Sequence, residues 1–493
     1  MTSAPPFDLK ARARQAMFEL GFQPDLPPEA LREAQTAARA TFDSSAPPPS
    51  GTPPPVDLRS LLWSSIDNND SRDLDQIEYA ETLPDGAVRL LVGIADVDSL
   101  APRDSAIDRH AAFNTTTVYT GVSIFPMLPA DLSIDRTSLL DGCDRRVMVV
   151  ELRIPHSGAV DCHSVYPAWV RNRAKLAYPS VGDWLEGRGP IPPAIAAVPG
   201  MEAQIRLQHE TSLRLRQVRK DHGALTFASL EARPVVENGE VKDLVVARHN
   251  PAMDIIESFM VAANVAMARH LKDRQRLSIR RVVRTPKRWE RIVELAANLD
   301  FKLPVDPQPK PLQEFLDAQQ RANPAHFPDL SLAVVKLLGP GEYIVEAPGR
   351  ELEGHFGLAV QDYTHSTAPN RRYADLITQR LLKAVVAGAP EPYDEPALAV
   401  IAARCSEREK AASKVERLMR KVIACVILSS RIGETFDGFI TGCSPKGTYV
   451  RLQTFPAEGM LLKGTRGVDV GDLVRVRLVS MDIARGFINF DRV

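Results

Sequence analysis

Five cysteines in 493 residues, none spaced as CxxC, offer neither a disulfide framework nor a zinc site, and read as reduced thiols. No stretch approaches the run of about 18 apolar residues that a membrane helix needs, and the start MTSAPPFDLKARARQ lacks the apolar core of a signal peptide. A cytoplasmic location with no membrane partner is expected. The net charge is −1, which by itself gives no reason to expect a nucleic-acid partner. No internal repeat is visible.

What is present is uneven charge. Arg269 to Arg291 holds ten Lys or Arg against two acids, and Cys405 to Arg431 is basic as well. Taken singly, each run is a solvated helix face. Beside an acidic cluster, they point to a metal-dependent enzyme acting on a polyanion. That cluster is Asp67-Asn-Asn-Asp70-Ser-Arg-Asp73-Leu-Asp75-Gln76, with four carboxylates in nine residues. Carboxylates this close disfavour one another's ionisation unless solvated or bound to a cation, and hard ions such as Mg²⁺ and Ca²⁺ take oxygen ligands of this kind.

Two other readings of the cluster stand beside the metal site. One is an exposed acidic turn. The other is a calcium loop, because Asp67, Asn69, Ser71, Asp73, Asp75 and Glu78 fall at the ligand positions of an EF-hand. Against the calcium loop, Arg72 stands where the sharp turn needs Gly, and the following residues alternate like a strand where a helix is required. Asp75 to Thr82, the turn Pro84-Asp85-Gly86 and Ala87 to Ala95 read as a β-hairpin. On such a strand Asp73 and Asp75 share one face while Leu74 turns to the core.

The length predicts an α+β multidomain chain. Residues 1–43 form a small helical region with helices over 8–20 and 28–42, either a helix-turn-helix or a plain hairpin packed on the body. Residues 44–56 are a Pro-rich linker. Residues 57–430 form the main body, with strand-like runs and turns to about 250 and helices near 253–273, 287–299, 311–321, 370–387 and 394–430. Residues 432–493 carry five short β-like runs separated by Gly, which fits an OB-type barrel. There Phe436, Phe439 and Tyr449 either offer stacking faces to bases or fill the barrel. This end resembles the S1 domain of RNA-binding proteins.

The segments IDNNDSRDLDQ, VRLLVGIADV, FPMLPADLS, NRAKLAYPSVGDWL, DIIESFMVAANVAMAR and HFGLAVQDYTHSTAPNRRYADLITQRLL, spanning residues 66–382, together resemble the catalytic RNB domain of the RNase II and RNase R exoribonucleases. The resemblance implies an RNB-type catalytic α/β domain followed by an S1 barrel. It also implies processive 3′-to-5′ hydrolysis of single-stranded RNA with a free 3′ end to nucleoside 5′-monophosphates, dependent on one or two Mg²⁺ ions, by a monomer.

By the same resemblance Asp67, Asp73 and Asp75 are catalytic metal ligands, and Gln76 stands where the family usually has a fourth aspartate. Its amide oxygen still ligates Mg²⁺ but brings no charge. Tyr119 and Phe227 match aromatics that stack on the 3′-terminal bases, and Glu257 a glutamate near the terminal nucleotides. Arg371 matches the arginine on the scissile phosphate and falls in the first turn of a helix opened by Pro369, with Arg372 and Arg380 as further backbone contacts. Phe439 and Tyr449 are the RNA-facing aromatics of the S1-like end. The first 56 residues leave no room for the two cold-shock domains such enzymes usually carry, and no Lys-rich tail follows the barrel. A differently built RNA entrance and RNase II-like action on unstructured RNA are therefore expected. The alternative is a catalytically weakened protein that only binds RNA 3′ ends.

Overall fold

The computed structural model describes residues 7–39, 53–228, 232–237, 240–246, 248–324, 326–444 and 447–493. Most of the Pro-rich linker, and the last residues of the helix expected over 28–42, lie outside them. Helix α1 (Leu9–Glu19), capped by Asp8, buries Ala13, Ala16 and Met17, and α2 (Pro28–Arg39) buries Ala30 and Ala34. Both pack on the main body.

The body is built on one sheet. Its first strands are β1 (Val56–Asp57), β2 (Trp63–Asp67), β3 (Gln76–Thr82) and β4 (Val88–Ala95). β3 and β4 form the expected hairpin, in register from Gln76 opposite Ile94 to Thr82 opposite Val88. Gly86 closes its turn at φ +79°, a conformation that costs a residue with a Cβ. After α3 (Ala106–Asn114) and the small ribbon β5 (Val118–Tyr119) and β6 (Ile124–Phe125), the sheet resumes with β7 (Asp144–Ile154) and the 17-residue β8 (Asp161–Ala177). The order is β1-β8-β2-β3-β4-β7, and β7 pairs back to β8.

Among the described residues, four α-helices stand in the stretch expected to be strands and turns up to residue 250. Besides α3, these are α4 (Tyr178–Leu185) and the 21-residue α6 (Met201–Asp221), with the single-turn α5 (Pro193–Ala196) between them. Helix α6 escapes the apolar periodicity because its buried face is largely polar: Gln204, Gln208, Thr211 and Ser212. The reason is the open edge of β3, which meets β2 only at Ser64 opposite Glu78. Gln204 completes that edge, accepting from Ala80 N at 2.6 Å and donating to Ala80 O at 2.9 Å. A backbone edge left bare in the interior would be costly, and an amide side chain satisfies both its donor and its acceptor.

Ribbon β9 (Ala232–Glu237) and β10 (Glu240–Val246) leads to α7 (Pro251–Asp273), whose first amides are capped by Asn250 Oδ1. α7 is long and apolar enough to match a membrane span by length and composition, contrary to the expectation that no stretch approaches one. Here its apolar surface is spent in the protein core, where Ile255, Phe259, Ala263 and Leu271 are buried. A satellite of α8 (Trp289–Ala297), α9 (Pro309–Ala322) and α10 (Phe327–Leu338) packs around Phe315, beside the pair β11 (Ser278–Val282) and β12 (Glu342–Glu346).

α11 (Tyr373–Val386) is almost wholly buried. α12 (Glu395–Leu428), 34 residues and about 50 Å long at 1.5 Å per residue, carries α1 along its middle and the C-terminal barrel at its end. That barrel closes in the order β13-β14-β15-β17-β16 from β13 (Thr435–Ser444), β14 (Gly447–Leu452), β15 (Glu458–Lys463), β16 (Leu473–Asp482) and β17 (Phe487–Arg492). Phe436 belongs to its core at 6% exposure, so it offers no stacking face. The fold is thus α+β, with a sheet-based body, a C-terminal barrel and an N-terminal helical region.

Candidate active site

The acidic loop joins β2 to β3 and is held from both sides. Ser138 Oγ donates to Arg72 O at 2.6 Å and accepts from Leu74 N at 3.0 Å, while Lys175 Nζ on β8 donates to Ser71 O at 2.5 Å. Leu74 is buried in the core, as its place between two aspartates predicts. Strand β3 begins only at Gln76, so Asp73 and Asp75 are fixed by their partners and not by a strand's alternation. Glu78 sits within β3, wholly buried, which removes the calcium-loop reading.

Asp75 is the deepest of the cluster, at 2% exposure. Its Oδ1 accepts from Asn370 N at 2.8 Å, and its Oδ2 lies 3.4 Å from Arg371 Nε without a hydrogen-bond partner. Burial pushes its carboxyl up to about 7, against the opposing pull of Arg371 and the Asn370 amide. Asp67 is also raised by burial, eased by hydrogen bonds from Asn68 N and Ser71. Asp73 Oδ2 accepts from the Tyr119 hydroxyl at 3.0 Å, and Tyr119 N donates to Glu416 Oε1 of α12 at 3.2 Å. Burial, then the neighbouring Asp73 charge, hold the Tyr119 hydroxyl protonated far above its ordinary range. The residue is 39% exposed.

Four sequence-distant segments therefore meet at one point: the acidic loop, Tyr119, the turn at residues 368–372 and α12. Arg371 precedes α11 and is not in its first turn, since Arg372 is the N-cap. Its carbonyl accepts from Thr117 N at 3.0 Å, tying this turn to the Tyr119 ribbon. Its side chain is 44% exposed and free to reach an anion.

Arg372 and Arg380 do not serve as exposed contacts. Arg372 turns inward to Asp375 at 2.7 Å, and Arg380 is buried against Asp98, Asp108 and the Tyr393 hydroxyl. Each is a charge matched inside the fold. The basic run 269–291 is largely consumed too, with Arg280 on Glu346, Arg281 on Glu409, Arg284 on Glu342 and Lys272 on Asp362. The second run keeps its charge outward: Lys410, Lys414, Arg417 and Lys421 are exposed along α12 with no ion pair among the described residues.

Phe227 and Glu257 lie apart from this meeting point. Phe227 is half-buried against the α8–α10 cluster, and Glu257 pairs with Arg219 of α6 at 3.1 Å. Glu257, His249 and Asp254 bring ligand atoms within 4.8 Å of one another, whereas the acidic loop makes no such compact triad, with Arg371 and Tyr119 among its carboxylates. On the barrel, Phe439 and Tyr449 are half-buried. Phe439 meets the His326 ring edge-on at 4.7 Å, and Arg451 beside it forms a two-pronged pair with Asp329 of α10 at 2.6 and 2.8 Å. Sequence reasoning missed Asn370, Lys175 and Glu416. Lys175 lies inside the NRAKLAYPSVGDWL segment and Asn370 inside HFGLAVQDYTHSTAPNRRYADLITQRLL, which is the signal available for those two.

The RNB domain matches residues 56–388, and the RNase II-type exonuclease C-terminal S1 domain matches residues 434–493. The chain belongs to the RNB family. Ribonuclease R of Thermotoga maritima is 30% identical over 472 residues, covering 88% of this chain and 64% of that protein. Exoribonuclease 2 of Edwardsiella piscicida is 32% identical over 411 residues, 80% of this chain and 60% of that one. The chain thus spans only about half to two-thirds of such RNB relatives. The apo form of Mycoplasma genitalium RNase R shares the fold at a TM-score of 0.86 and 23% identity, covering 99% of this chain and 78% of that one.

Proposed function

We propose that this RNB protein is a 3′-to-5′ hydrolytic exoribonuclease that shortens single-stranded RNA with a free 3′ end to nucleoside 5′-monophosphates. The observation that carries the reading is Asp75, a buried carboxylate with one unpartnered oxygen, set beside an outward-reaching arginine from a segment almost 300 residues away. Strong perturbation of a carboxyl by burial next to a specific charge partner marks functional sites.

The donor set fits a hard divalent cation. Asp67, Asp73 and Asp75 supply carboxylate oxygens, Gln76 an amide oxygen, and the buried Asp75 Oδ2 makes no hydrogen bond, with Arg371 Nε facing it at 3.4 Å. Mg²⁺ held there, as one ion or two, would supply Lewis-acid charge to the oxygens of an in-line phosphoryl displacement.

The chain's own groups do the rest. The exposed face of Tyr119 takes a terminal base by stacking, a sequence-blind contact worth about 1–3 kcal/mol. Its hydroxyl, held by Asp73, fixes the ring's angle. Arg371 swings from Asp75 to the scissile phosphate, where a guanidinium clamps the developing charge. Asn370 N keeps Asp75 oriented during that exchange. The α12 stripe of Lys410, Lys414, Arg417 and Lys421 offers phosphate contacts to the incoming strand.

A second reading, binding of 3′ ends without cleavage, is favoured by one residue, the neutral Gln76 in the acid cluster. Incubating the protein with Mg²⁺ and either linear or circular RNA of one sequence tests both. Monophosphates from the linear RNA alone support the exonuclease; tight binding of linear RNA with no monophosphate supports the second reading.

A further inference from the structure

The N-terminal arm, α1 and α2 with the turn between them, has no task in the mechanism above. Nor does it present a free basic face to nucleic acid. Arg12 is spent on Glu19 at 3.2 Å and on the carbonyl of Ala484, in the turn between β16 and β17, at 2.8 Å, while Arg14 pairs with Asp25.

What the arm does hold is α3, at both ends. Glu33 Oε2 accepts from Ile107 N in the first turn of α3 at 3.1 Å. At the other end the Asn114 side chain, 3% exposed, joins the arm as one strand joins another: its Oδ1 accepts from Gln23 N at 3.0 Å and its Nδ2 donates to Gln23 O at 2.8 Å. Arg408 of α12 closes over this joint, with its guanidinium 5.2 Å from the centroids of the Phe22 and Phe113 rings and donating to Leu20 O at 3.1 Å.

Thr115 follows at φ +60°, a conformation that a β-branched residue adopts only where its surroundings impose it. Then comes β5, whose two side chains leave opposite faces. Val118 is wholly buried in a cluster with Ala13, Ala16 and Met17 of α1 and Val415 and Met419 of α12. Tyr119 turns the other way, to Asp73. The arm thus packs under the residue next to Tyr119, while the ribbon's backbone ties, Thr117 N to Arg371 O and Tyr119 N to Glu416 Oε1, run to the other walls of the site.

We propose that the N-terminal arm is a positioning element of the terminal-base site: the Asn114 joint and the Met17 packing pin the two ends of the stretch 115–118 and so fix where Tyr119 stands beside the acidic loop. The inference rests on Tyr119 taking the terminal base, as argued above. The rival accounts are an arm that touches RNA itself and an arm that serves stability alone.

The test uses the full chain and reads amide exchange, thermal unfolding and binding of 3′-tailed RNA in chelator. Two substitutions loosen the joint by different chemistry. Met17→Ala leaves a cavity in the Val118 cluster, and Asn114→Asp keeps the shape but sets an oxygen against Gln23 O. In both, amides of residues 115–121 are expected to exchange at least about tenfold faster, a smaller factor than the full loss of a buried methionine side chain would produce. Leu152→Ala, in β7 toward the end of the sheet away from Gln76, is the control for destabilisation and should leave exchange of this stretch as it is. Each arm variant is expected to bind RNA about three- to tenfold more weakly, a share of what stacking on Tyr119 supplies, and to cost nothing further in a Tyr119→Ala background. Exchange of residues 115–121 within about twofold of the parent in either arm variant overturns the inference. So does a loss of RNA affinity that persists in full beside Tyr119→Ala, which marks an arm in contact with RNA, and so does equally fast exchange in Leu152→Ala, which marks plain destabilisation. Tyr119→Ala binding RNA as well as the parent overturns the stacking reading instead, a different failure, and exchange of residues 115–121 still decides the arm's role.

Discussion

Replacing Asp75 by asparagine should stabilise the metal-free protein and disable it. The folded state holds this carboxyl near 7 against an ordinary value of 3.8, because burial penalises the anion more than Arg371 and the Asn370 amide favour it. A raised carboxyl prefers its proton in the folded state. Its contribution to stability is therefore intact below about pH 4, is lost progressively as pH rises, and is fully lost above about pH 7. Three units at about 1.4 kcal/mol each amount to about 4 kcal/mol at pH 8. The substituted side chain, an amide, has nearly the same shape and never ionises. Metal-free Asp75→Asn should thus melt about 4–8 °C above the parent at pH 8, taking roughly 1–2 °C per kcal/mol for a unit this large. The gap should close toward pH 4.

Saturating Mg²⁺ should stabilise the parent and leave the variant behind, because the ion meets the buried charge that the metal-free fold only tolerates. Nucleotide release should fall at least ~10²-fold, on the scale of losing one electrostatic stabiliser of a transition state. Differential scanning fluorimetry across pH 4 to 8, with chelator and with Mg²⁺, reads the stability changes, and a nucleotide-release assay reads the rate. A variant that melts below the parent at pH 8 in chelator, or whose advantage is the same at pH 4 and pH 8, refutes the reasoning.

Three further outcomes follow from the same geometry. Tyr119→Phe keeps the ring but loses the hydroxyl bond to Asp73, so binding of short 3′ ends should weaken by less than about 1 kcal/mol, while Tyr119→Ala should cost about 1–3 kcal/mol; filter binding of oligonucleotides in chelator checks both. Neutralising Lys410 and Lys414 together should lower the slope of log affinity against log salt by about 1.4, at roughly 0.7 per phosphate contact on a single strand. Asp329→Ala should free Arg451 and loosen the barrel from α10, at a cost of about 1 kcal/mol for a partly screened pair; faster amide exchange over β13 and β14, with α12 unchanged, is the expected signature.

The parts of the fold that sequence discloses are those where pattern and environment agree. The β3–β4 hairpin announces itself because Pro84-Asp85-Gly86 can only turn and the residues around it alternate. The barrel does the same through its Gly-punctuated runs. The acidic loop is legible as chemistry because carboxylates at that density disfavour one another's ionisation unless solvated or bound to a cation.

What stays hidden depends on partners far along the chain. Helix α6 presents glutamines, threonine and serine to the interior, since its task is to finish the edge of β3, and an apolar periodicity is absent for that reason. Arg372 and Arg380 look like the surface charges that Arg371 is, until Asp375, Asp98 and Asp108 come round to bury them. Asn370 serves the site through its backbone amide, which any residue but proline would provide. No residue type could have signalled it.

The most direct test of the central claim is single-turnover digestion of a single-stranded RNA labelled on its 3′-terminal phosphodiester, with Mg²⁺ and an excess of the protein. The account predicts that label leaves as nucleoside 5′-monophosphate from the first cleavage onward, that chelator stops it, and that Asp75→Asn binds the RNA without releasing label. Label retained in full-length RNA while the parent protein binds it, or label released as internal fragments, would contradict it.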